Sequence, residues 1–149
     1  MLRTVFVMVL LVAGAGIACT AEPSEPPELA VLMATLQRHS HKLGLAVRER
    51  NEPLASFYIH EVEEALGDVV TQIPTHDGLD IRSLIKTISM PTVGPLAEHL
   101  KAANWQEAEL GYRTLIDGCN RCHAATEHEF LVITHDLGEN PYNQKFSIP

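Results

Sequence analysis

The chain has 149 residues, with 19 acidic side chains against 11 basic ones and a formal net charge of −8. That balance excludes nucleic acid as a partner, since phosphate recognition needs a basic surface. It fits either a basic partner protein or a plainly solvated surface. The length supports one domain with its own hydrophobic core.

Residues 1–21 read as an export signal. Arg3 provides a single charge, Val5 to Val12 forms a short apolar run, and small residues follow from Ala13 to Ala18. Eight apolar residues are too few for a mature membrane span, so the segment reads as one that is cleaved and the product as periplasmic. Cys19, after Gly16-Ile17-Ala18, supports two readings. One is a lipid anchor with Thr20 to Pro27 as a proline-rich tether; the other is loss of Cys19 with the signal after Ala21, which leaves residues 22–27 as a short linker. Residues 28–149 form the folded domain, ending in an irregular tail.

Four helices follow. The first, over residues 27–50, carries Leu29, Leu32, Met33, Leu36, His39, Ser40, Leu43 and Val47 on one stripe at helical spacing. His41 falls off that stripe and reads as solvated. Asn51 caps the second helix, with Pro53 in its first turn. That helix runs to about Ile73, with Leu54, Tyr58, Val62, Ala65, Leu66 and Val69 facing inward and His60, Glu61, Glu63 and Glu64 on a charged outer face.

The third helix has an apolar face of Ile81, Leu84, Ile85 and Ile88, and Met90-Pro91 predicts a break or kink. The fourth begins near Asn104. Residues 131–134 read as a short strand or as an extension of that helix, and the tail 139–149 is expected to lie on the bundle through Phe146. Short connections make the fold class all-α: an antiparallel up-down-up-down four-helix bundle.

Near the end of the fourth helix stands Cys119-Asn120-Arg121-Cys122-His123. A C-x-x-C-H run in an exported chain reads as covalent attachment of one haem c. Cys119 and Cys122 form the thioethers, and His123 is the proximal iron ligand. Zinc needs further ligands at motif spacing, and a redox dithiol needs a helix that starts at the first cysteine.

With that motif on its last helix, the chain resembles the class II c-type cytochromes, the cytochrome c-prime and cytochrome c-556 group. Lys42-Leu43-Gly44 is similar to the run that follows their distal position. The resemblance implies that Met33 faces the iron, as a ligand in six-coordinate members or as a bystander in five-coordinate ones. It also implies a homodimer through the first helix. Leu29 stands where the family commonly has arginine, and the tail, with Asn140-Pro141-Tyr142-Asn143-Gln144, is longer than usual.

Bundle topology brings Met33, His39, His76 and Met90 into consideration as distal ligands, with Leu36 and Leu32 lining the haem face. Single-electron transfer to a redox partner protein is the leading function, as a carrier more than an enzyme. The alternative is a five-coordinate haem protein that binds or senses small diatomic gases.

Overall fold

The computed structural model describes residues 27–148. The expected signal segment 1–21, Cys19 and residues 22–26 of the linker lie outside them.

Among the described residues the fold is an all-α four-helix bundle with no β-sheet, only an isolated bridge between His76 and Leu79. Helix α1 (Leu29–Arg48) packs on α2 (Glu52–Gln72), and α2 on α4 (Met90–Lys101). Helix α4 packs on α5 (Trp105–Ala125), and α5 closes against α1. Leu43, Leu45, Leu66, Leu96, Leu100, Leu115 and Ile116 are fully buried between them, each contributing about 1.5–3 kcal/mol by leaving water.

The Met90-Pro91 junction departs from the expected break. Helix α3 (Ile81–Leu84) runs through a π turn (Ile85–Ser89) into α4 without interruption. The Met90 N–H reaches back five residues to the Ile85 carbonyl. Widening the ladder there makes room for Pro91, which has no N–H and whose ring crowds the preceding turn.

The helix ends explain the short connections. Asn51 Oδ1 accepts from the Leu54 N–H at 3.3 Å, as its position before Pro53 predicts. Three helices end without glycine. The chain turns left-handed at Arg50 (φ 51°), Ala103 (φ 49°) and Glu127 (φ 61°). Paired bonds close each end, such as His128 N–H to His123 O at 2.8 Å and Glu127 N–H to Ala124 O at 3.4 Å.

Residues 126–148 are neither strand nor helix; the expected strand or helix extension at 131–134 is irregular. They fold back over the bundle, and Phe146 is 4% exposed. Tyr58 donates to Gln144 at 2.6 Å, Lys42 donates to the same side-chain oxygen at 3.1 Å, and Asn51 donates to the Phe146 carbonyl at 2.8 Å.

The tail corrects one expectation outright. His41 is half-buried, not solvated: its Nε2–H donates to Leu137 O at 2.9 Å, and Nδ1 accepts from the Tyr142 hydroxyl at 3.2 Å. Glu61 is corrected too, since it is half-buried 3.8 Å from His39, while Glu63 and Glu64 are exposed.

Candidate functional site

Helix α5 places Cys119, Cys122 and His123 in its last two turns. A separation of three residues sets the two sulfurs almost one turn apart on neighbouring lines of the helix surface. Cys122 is buried and Cys119 half-buried, and neither is in a disulfide. Burial pushes the Cys119 thiol up to about 11, and nearby Cys122 adds to the shift; burial also raises Cys122. Both are therefore neutral thiols at pH 7. Helix α5 starts fourteen residues before Cys119, so no helix N-terminus lies at that thiol to lower its pKa. This is the opposite of a redox-active C-x-x-C.

The His123 ring is held at one nitrogen. Its Nδ1 lies 2.6 Å from the Leu131 carbonyl. A carbonyl only accepts, so Nδ1 carries the proton and Nε2 is left with its lone pair. That is the tautomer of a metal-ligating histidine steadied by an outer partner.

The Leu131 contact is one rung of three. Asp117, Asn120 and His123 are spaced every three residues on α5, and each meets the returning chain. Asp117 Oδ1 lies 3.0 Å from His135 Nε2. Asn120 makes two bonds to Ile133: its Nδ2 donates to the carbonyl at 2.9 Å, and its Oδ1 accepts from the N–H at 2.8 Å. An extended segment running back along α5 after the left-handed turn at Glu127 produces this ladder. Sequence reasoning missed it. The available signal was the polar side chain at every third residue of α5: Asp117, Asn120 and His123.

The other predicted residues fall on different surfaces. Leu36 is buried, and Met33 and Leu32 are partly buried against the core. His39 is half-buried between α1 and α2, facing Glu61, with its Nδ1 lacking a hydrogen-bond partner. His76 is exposed in the turn before α3, 3.6 Å from Asp77, and Met90 is half-buried. Arg121 is exposed.

A cavity of about 680 Å³ lies between α1, α5 and the tail, with Ala34, Arg38, Ser40, Tyr112, Ile116 and Ile133 among its walls. Its size suits a small cofactor. Tyr112 and Ile116 stand on the α5 face that continues to Cys119 and His123, although the thiols and imidazole do not line it. Ser40 Oγ is buried at this wall without a partner. Among the described residues no three His, Cys, Asp or Glu side chains converge to hold a metal by themselves.

Comparison with known proteins finds no matching family model, no matching curated protein and no matching solved structure.

Proposed function

We propose that the chain is an exported mono-haem c-type cytochrome that transfers single electrons. Cys119 and Cys122 hold the porphyrin, and His123 Nε2 binds the iron. The observation that carries the reading is the His123 ring, whose Nδ1–H is engaged by Leu131 O while Nε2 stays available. Haem would supply a one-electron couple between ferric and ferrous iron. The protein's part is to keep that group attached, fix the proximal imidazole and limit rearrangement between the two states by close helix packing.

The finer topology belongs to the same proposal: antiparallel up-down-up-down helices with the haem on α5. Gly44 approaches Tyr112 so closely that an added Cβ would stand 2.6 Å from the ring. Met33 lies eleven residues before Gly44, and His123 eleven after Tyr112. With α1 and α5 antiparallel and both rising 1.5 Å per residue, Met33 comes level with the proximal histidine. His39 falls six residues deeper, about 9 Å along the axis. The distal ligand we propose is therefore Met33, whose thioether suits low-spin haem iron, with Leu36 one turn further in.

Purified full-length protein should keep its haem through denaturing electrophoresis with haem staining and through extraction in acidified organic solvent. Release of the haem in either would end the c-type assignment. A near-infrared methionine-to-iron band lost in Met33→Leu would identify the distal ligand. A high-spin ferrous form that binds carbon monoxide at once would instead favour gas binding.

A further inference from the structure

Building on the haem reading, we propose that Asn120, a non-ligating residue inside the C-x-x-C-H run, is the positioning residue that sets the reduction potential. It does so by fixing the Leu131 carbonyl on His123 Nδ1. The carboxamide of Asn120 takes both backbone groups of Ile133, at 2.8 and 2.9 Å. Ile133 is two residues from Leu131 in an irregular segment with no ladder of its own. The Leu131 N–H donates to His128 O at 2.9 Å, which fixes the chain before it; the Asn120 clamp fixes the chain after it, on the side of the carbonyl. With it, that carbonyl lies 2.6 Å from His123 Nδ1.

The geometry has an electronic consequence. A carbonyl accepting from Nδ1–H draws the proton partly off the imidazole and makes Nε2 a stronger donor. A stronger proximal donor favours ferric over ferrous iron and lowers the potential. Asn120 therefore acts on the iron through Ile133, Leu131 and His123 without touching it. The spacing also explains why an amide suits this site. Asp117 and His135 make the rung before it with a single 3.0 Å contact, whereas at Asn120 one side chain must both donate and accept. Aspartate would lose the donor and alanine both bonds.

The test uses the intact haem protein in Asn120→Ala, Asn120→Asp and Leu131→Ala forms. Haem staining of each, wild type included, reports attachment separately. Amide hydrogen exchange at Ile133 reads the clamp, and the midpoint potential reads its effect on iron. In Asn120→Ala we expect faster Ile133 exchange and a higher potential. Loss of an outer-shell partner costs about tenfold or more in metal affinity; a tenfold loss borne by the ferric state alone is about 59 mV for a one-electron couple. Leu131→Ala keeps the carbonyl and should leave the potential in place.

A stained Asn120→Ala protein whose Ile133 amide exchanges faster at unchanged potential would overturn the proposal and leave the clamp as mere packing. So would unchanged Ile133 exchange, or an equal shift in Leu131→Ala. Absence of haem from wild type would overturn the haem reading itself, and this inference with it, and the stain alone makes that failure visible.

Discussion

Helix α1 has two seams, and they are built differently. Toward α2 it sets half-buried His39, with a nitrogen lacking a hydrogen bond, beside Glu61, and buries apolar residues such as Leu36 and Leu43. Toward the tail it exchanges polar contacts: His41 with Leu137 and Tyr142, Lys42 with Gln144, and Arg48 with Gly138 O at 2.9 Å. The α1–α2 seam is what helical periodicity writes. The tail seam comes from a segment with no periodicity, and it turns an apparently solvated face into an interface. Two histidines, two residues apart, thus take opposite roles.

The comparison breaks most readily at Phe146. Its ring is buried, with Tyr58 and Tyr142 centroids each 6.3 Å away. Phe146→Ala should lower unfolding stability by about 3–5 kcal/mol, as for other buried aromatics. Urea titration should show a lower midpoint with the slope preserved. A loss below about 1 kcal/mol, against that same range, would mean the tail is an accessory outside the cooperative unit.

His41 tests the polar part of the same seam. His41→Ala removes two hydrogen bonds, each contributing about 0.5–1.5 kcal/mol, and exposes the Leu137 carbonyl and the Tyr142 hydroxyl. The expected loss is about 1–3 kcal/mol, with faster exchange in residues 137–144. His39→Ala, which breaks no hydrogen bond, should leave exchange in the tail unchanged. Equal acceleration in both variants would erase the distinction between the seams.

What the sequence made legible follows the same division. The four helices were readable because apolar residues recur at helical spacing within each, as at Leu32, Leu36, Leu43 and Val47 on α1 and at Leu54, Tyr58, Val62, Ala65 and Val69 on α2, and Asn51-Glu52-Pro53 is a recognisable helix start. Cys119, Cys122 and His123 were readable as a motif, and α5 carries them near its end as expected. The tail was less readable. Its contacts are made by single polar atoms on Gln144, Tyr142 and Asn120, and no periodic pattern announces which backbone group each will meet. The helix ends at Arg50, Ala103 and Glu127 lack the glycine that usually marks a left-handed cap. The π turn was half visible: Pro91 signals trouble in the ladder, but a widened turn and a kink have the same cause. On the proposed haem reading the distal ligand has a similar ambiguity, because Met33 and His39 share a stripe and only the proposed register of α1 against α5 would separate them. The first turns of α1 also expose Val31 beside Ala30 and Ala34, an apolar strip that the inward stripe had obscured.

The smallest expected effect lies in the α1–α2 seam and depends on pH. Burial lowers the His39 pKa below its usual 6.5; Glu61 opposes that shift, while Arg38 and Lys42 reinforce it. Tyr58, the aromatic neighbour on α2, has its ring centroid 6.3 Å away. Because the folded pKa is depressed for a base, the unfolded chain takes up the proton first. The contribution is therefore absent above pH 6.5. It becomes a destabilisation as pH falls through 6.5 toward the folded value, and stays constant below that. His39→Gln should flatten this part of the stability profile, read as the urea midpoint between pH 7.5 and 5.5. Glu61→Gln should steepen it, because it removes the charge that favours protonation. If His39→Gln leaves the slope unchanged, or Glu61→Gln flattens it, His39 does not carry this part of the profile, and the contrast between the seams rests on hydrogen bonding alone.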